Sequence, residues 1–269
     1  MSENKKQNQI MQKNTQAWSV VYPIFLYFAV CQIVNLLLGL LPFATEIDAV
    51  KRQGLGSLAG FVVLYICFVH RRVAGKESGK KLFADPVTAR LTVGMVTAVC
   101  MLGCAGIAMN NLLALTELRQ FSDSYQTVEQ AFYSSSLGWE ILALGIITPV
   151  AEELLYRYIV FYNLRDWLGR TMAIVGSALI FGLLHMNIVQ TVYAFVLGLL
   201  LGILMEAYQD VRVAVCGHIV ANIISLLRGE TGFLAWMQPG NGLFVPVTLG
   251  LLAVVVLLAG LHIRTFKKE

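Results

Sequence analysis

The chain has 269 residues, 57% of them hydrophobic and only 13% charged, with a formal net charge of +4, whereas soluble domains carry about 25% charged residues. Its mean hydropathy of +0.69 and recurrent apolar runs long enough to cross about 30 Å of hydrocarbon exclude a soluble globular domain. Lys and Arg do not form a stripe interleaved with aromatics, which argues against a nucleic-acid partner.

In chain order, hydropathy predicts an all-α polytopic bundle of about eight membrane spans. They fall near 18–41, 55–70, 91–115, 138–164, 171–187, 190–207, 211–227 and 243–262. Residues 1–17, rich in Lys, Gln and Asn, are expected to be a cytoplasmic tail, followed by a retained helix because no small-residue cleavage signal intervenes. Residues 18–137 then form the first membrane helices and an outer loop, 138–228 a central core, and 229–269 a last helix and tail. Loop charge supports an even number of spans. Lys5, Lys6 and Lys13, the cluster Arg71, Arg72, Lys76, Lys80 and Lys81, then Arg165 and Arg170, and finally Arg264, Lys267 and Lys268 all fall on one side. Glu117, Asp123 and Glu129 fall on the other. The positive-inside rule makes the first side, with both termini, cytoplasmic and the protein a multi-pass component of the cell membrane.

The segment 117–136 is too polar to span and is expected as a helix in the interface. Gly56 with Gly60, and Gly198 with Gly202, have the spacing that lets helices pack closely in lipid. All five cysteines lie in apolar segments, which suits small core residues better than a disulfide framework.

Charge inside these spans is concentrated in Pro149-Val-Ala-Glu152-Glu153-Leu-Leu-Tyr156-Arg157. One ionised side chain at the bilayer centre costs roughly 2.5–3.5 kcal/mol on insertion scales, so three together call for partners and a purpose. Glu153 and Arg157 are four apart with the acid first, the favourable order for a same-face ion pair. Glu152 is rotated about 100° from Glu153 and needs a separate reason to be there. Pro149, one turn earlier, cannot donate a backbone bond and is expected to free a carbonyl near the acids.

Of the four histidines, His70 and His262 lie at span ends, where snorkelling side chains are ordinary. His185, in Phe181-Gly-Leu-Leu-His185, and His218, in His218-Ile-Val-Ala-Asn222, lie within spans, where ionisable groups mark function by default. His218 and Asn222 share one helix face. Counting about 1.5 Å per residue from the span ends puts His218 roughly 10 Å and His185 roughly 20 Å from the cytoplasmic side, an offset of about two turns.

The patterns E-E-x-x-x-R, F-x-x-x-H and H-x-x-x-N, in this order on successive membrane segments, resemble the CPBP intramembrane proteases, the CAAX-protease and bacteriocin-processing (Abi) family. The resemblance covers about residues 138–228. It implies hydrolysis of a peptide bond in a membrane-associated protein or peptide. Glu152 would be the general base, His185 would help to orient water, and His218 with Asn222 would donate to the oxyanion. Glu153 and Arg157 would hold the local field. Family members range from processing of prenylated CAAX proteins to peptide maturation and bacteriocin immunity, and the short loops here weigh against the first. A zinc set of Glu152, His185 and His218 is the alternative chemistry, with the metal-free glutamate route preferred because no H-E-x-x-H helix is present. Two other readings stand beside the protease. A proton-coupled transporter would also use intramembrane Glu and His, but would show repeated halves. A non-catalytic immunity or scaffold protein would need no intact site.

Overall fold

The structure is a computed structural model that describes residues 2–42, 44–70, 82–83 and 87–266. The basic cluster at 71–81 and the C-terminal Lys267 and Lys268 lie outside the described residues, so the orientation argument built on them is not addressed by the fold.

Among the described residues eight helices follow one another: α1 (Ser2–Gly39), α2 (Ala49–Leu64, continued as a π-helical turn over Tyr65–His70), α3 (Ala89–Ala114) and α4 (Asp123–Phe132) come first. The long run α5 (Leu137–Leu183), α6 (Ile188–Tyr208), α7 (Val211–Thr231) and α8 (Phe244–Arg264) complete the chain. The polytopic helical bundle expected from hydropathy is present. Six helices are individually long and apolar enough to cross a membrane, and a seventh candidate is the bent pair of α4 with α5, which meet at 111°. The fourth and fifth expected spans are one helical run, α5, broken at Gly169. There φ is 82° and ψ is 178°, a conformation without steric cost only for glycine. The expected N-terminal tail is also helical, since α1 begins at Ser2 and its apolar part starts at Met11.

Helix starts follow capping chemistry. The side chains of Asp48, Thr88, Ser122, Asn187 and Asp210 each accept a hydrogen bond from a backbone N–H of the helix they precede, satisfying donors that the first turn leaves unpaired. The polar 117–136 segment contains α4, capped by Ser122 and with no buried residue.

Packing is close where glycines allow it. α1 crosses α2 with the Tyr27 ring on Gly60 and Cys31 on Gly56; α5 meets α6 with Ala178 on Gly198 and Ile174 on Gly202. A Cβ at Gly60 would lie 2.6 Å from the Tyr27 ring, so the small-residue spacing read in the sequence does set these contacts. Leu154 to Phe161 form an unbroken buried stretch of α5, which places the charged turn in the middle of the bundle. The five cysteines are free thiols within helices.

At one face, Glu206 at the end of α6 receives Arg165 at 2.8 Å and Arg170 at 2.9 Å from either side of the Gly169 break. Two guanidiniums thus fasten the bend of α5 to its neighbour.

Candidate active site

The acidic pair sits on a six-residue α-helical turn, Thr148–Glu153, between two π-helical segments, Ile141–Ile147 and Leu154–Val160. In the first of these Thr148 N–H donates to Ala143 O, five residues back. The next bond in that register would run from residue 149 to Leu144 O. Pro149 has no N–H to give. The amide Nδ2 of Asn222, on α7, donates to Leu144 O at 2.9 Å instead. The carbonyl freed by the proline is therefore closed by a side chain from another helix, and α5 is tied to α7 about two turns before the acids.

Glu153 and Arg157 are both fully buried, with Arg157 Nε 3.4 Å from Glu153 Oε2. The other oxygen of Glu153, Oε1, accepts from His218 Nδ1 at 2.8 Å. With its proton on Nδ1, His218 turns Nε2 toward Glu152, whose Oε2 is 3.7 Å away. The two acids thus approach opposite nitrogens of one imidazole. The Glu152 side chain retains 17% exposure, against 0% for Glu153 and 5% for His218, so Glu152 is the more accessible of the two acids.

Phe181 joins the remaining parts. Its ring lies under the Arg157 guanidinium at 5.1 Å, a cation–π distance. It also meets His185 edge-on at 4.9 Å and His218 at 5.6 Å, centre to centre. The two imidazoles therefore flank one phenyl ring, and the two-turn offset expected from span ends is bridged by that ring.

His185 differs from its expected placement. α5 ends at Leu183, so His185 is not inside a span but in the turn between α5 and α6, ahead of Met186 with φ 57°. His185 Nδ1 donates to Phe181 O at 2.8 Å, which leaves Nε2 unprotonated in the neutral ring. Asn187 both caps α6 and donates to His185 O at 3.2 Å, so the turn is held from two directions.

Glu152, Glu153, Arg157 and His218 are in direct contact and His185 joins them through the Phe181 ring, while Asn222, one turn along α7 from His218, binds Leu144 O. Asn222 arrives with one amide N–H already committed to Leu144 O, leaving the other available. Sequence reasoning gave no role to Leu144 or to the Phe181 ring. Phe181 stands one turn before a histidine in an apolar segment, where an aromatic is ordinary.

Among the described residues no three His, Cys, Asp or Glu side chains are grouped to hold a metal ion. The Phe181 ring lies against both imidazoles, and His218 Nδ1 and His185 Nδ1 are bound to Glu153 and to a carbonyl, so Nε2 is the nitrogen that the zinc alternative would use on each ring.

No curated protein and no solved structure matches the chain. Residues 134–224 match the family model described as type II CAAX prenyl endopeptidase Rce1-like. That segment begins just before α5 and ends two residues after Asn222, so it encloses every residue of the centre described above. Residues 134–224 are thus similar to the Rce1-like type II CAAX prenyl endopeptidases, which is consistent with the CPBP resemblance.

Proposed function

We propose that the chain is an intramembrane endopeptidase that hydrolyses a peptide bond in a membrane-associated protein or peptide with water activated by Glu152. The observation that carries this reading is the arrangement at His218: Glu153 takes Nδ1 and Glu152 faces Nε2. One carboxylate is buried and committed, while the other is accessible and beside a proton-accepting nitrogen. General base catalysis needs an acid of the second kind within reach of water.

In the proposed sequence, Glu152 removes a proton from water, which adds to the peptide carbonyl. The proton passes from Glu152 to the departing amine as the C–N bond breaks. His185, through its unprotonated Nε2, orients the water. The free N–H of Asn222 donates to the oxyanion, and loss of such a donor typically costs about 10²–10³ in rate, while His218, held through Nδ1 by Glu153, positions Glu152 beside its Nε2. Glu153 and Arg157 fix the His218 ring and the local field without touching substrate. No step uses a metal. The distribution of loop charges favours cytoplasmic termini.

The test is cleavage by the full-length protein reconstituted in lipid. Glu152→Gln, expressed and folded normally, should abolish release of product from a quenched-fluorescence membrane peptide. Full activity in that variant would overturn the assignment, and its loss would separate a protease from a transporter or an immunity protein.

A further inference from the structure

Toward the Asp48 end of α1 and α2 the two helices part around a cavity of about 420 Å³, within the size range of small-ligand sites. Its wall is polar for a place between membrane helices. Gln32 and Asn35 come from α1, and Arg52 and Gln53 from α2, while Cys31 and Gly56 line its inner end, where α1 and α2 close on each other. Gln32 and Asn35 lie on the apolar stretch Met11–Gly39 and are exposed. An amide without a partner between membrane helices is costly, and an occupant of this cavity that offers its own N–H and C=O groups would satisfy both.

The inner end of the cavity leads to the acids. Gln53 Nε2 donates to Ser57 Oγ at 3.3 Å, and Tyr27 OH donates to the same oxygen at 3.2 Å. Ser57 Oγ in turn lies 3.1 Å from Thr148 Oγ1, one helical turn before Glu152 on α5. Tyr27 and Cys31 are both within electrostatic reach of the Glu152 carboxylate. A continuous file of polar groups therefore runs from the cavity mouth to the turn that carries the acids.

We infer that this cavity is the docking site for the backbone of an unwound peptide segment on its way to Glu152, which rests on the protease reading above. A peptide bond cannot be attacked within a helix whose backbone is fully paired, and an unwound backbone in a bilayer must find other partners. Carboxamide side chains offer both N–H donors and C=O acceptors, the same pair that a peptide unit presents. Gln32, Asn35 and Gln53 supply three of them on facing helices. An anionic headgroup would be served instead by a cluster of cations, and this wall has one arginine, with Nε already given to Ile47 O.

The experiment uses the full chain in lipid nanodiscs carrying Glu152→Gln to prevent turnover. A photo-reactive benzoyl-phenylalanine is placed at position 35 or, as a control, at position 36, since Leu36 is 66% exposed on the neighbouring outward face. Two quenched-fluorescence peptides are added, one bearing a farnesylated cysteine and one unprenylated. Covalent capture of either peptide at position 35, competed by unlabelled peptide and missing at 36, is the expected result. In the Glu152 protein, Asn35→Trp should raise KM about tenfold or more with kcat within about twofold, and Leu36→Trp should change neither. Equal capture at both positions, no capture at 35, or an Asn35→Trp effect on kcat alone overturns the inference. Capture at 35 without cleavage by the Glu152 protein would support docking and refute the protease reading. Cleavage with an unchanged KM in Asn35→Trp would do the reverse.

Discussion

Glu153 and His218, 65 residues apart in sequence, are joined at 2.8 Å in a position where neither side chain has more than 5% exposure. Glu153 also pairs with Arg157 at 3.4 Å, so one carboxylate serves a structural cation and a site imidazole. The two duties can be separated. Glu153→Leu should leave the guanidinium buried and unpaired and destabilise the protein by about 3–5 kcal/mol. Adding Arg157→Met should restore most of that stability but not cleavage, because the His218 ring stays unanchored. Thermal unfolding in detergent and cleavage rates on the same preparations measure the two effects; recovery of both by Arg157→Met would mean that the contact to His218 is incidental.

The link between Asn222 and Leu144 O makes a second separable pair. Asn222→Leu leaves a carbonyl without a partner and should cost about 1–3 kcal/mol, with cleavage lower by about 10²–10³. Pro149→Ala in that background returns a backbone N–H that can reach Leu144 O. Stability should rise again while activity stays low. If Pro149→Ala recovers nothing in unfolding experiments, the proline is not the origin of the free carbonyl.

Close packing of α5 on α6 predicts a sharp glycine requirement near His185. A Cβ at Gly182 would lie 2.8 Å from Thr191 O, and backbone cannot yield cheaply. Gly182→Ala should lower stability by about 1–3 kcal/mol, whereas Gly138→Ala, with nothing within 4 Å, should be neutral or mildly stabilising. Equal midpoints of thermal unfolding for the two variants would contradict this packing.

Outside the spans, Asp48 gives a pH prediction. Burial works against its charge, but hydrogen bonds from the Lys51 backbone and side chain and from Ser135 outweigh it and hold the carboxyl below the usual range. Because the folded value is the lower one, its contribution is present above the unfolded value of about 3.9 and is lost as pH falls through the folded value. Amide exchange at Lys51 and Arg52 should therefore accelerate in acid more than the intrinsic rate allows. Asp48→Ala should cost about 1 kcal/mol at neutral pH and flatten that dependence.

Much of the site is legible in the sequence, because charge in an apolar segment is rarely accidental. Glu152, Glu153, His185 and His218 stand out on composition alone, and the spacing from Glu153 to Arg157 and from His218 to Asn222 gives the shared faces. Three features are not legible. The π-helical register around Thr148–Glu153 leaves no mark that separates it from an ordinary helix, so neither the identity of the freed carbonyl nor its partner Asn222 could be named. Phe181 is marked in the sequence only as the first position of the F-x-x-x-H pattern, and its role under Arg157 and between two imidazoles shows only in the structure. Gly169 looks like a loop residue between two spans. Its positive φ instead turns the chain inside one helical run, which hydropathy divides into two.

The two π-helical segments have a consequence for how this centre tolerates change. Each holds one residue more than an α-helix of the same pitch would, so the orientation of Glu152 and Glu153 depends on the number of residues as well as their identity. A chain shorter by a single residue between Ser136 and Thr148, with every side chain of the centre retained, would swing both carboxylates by about 100° relative to the start of α5. The length of that stretch is thus as strict a specification as the acids themselves.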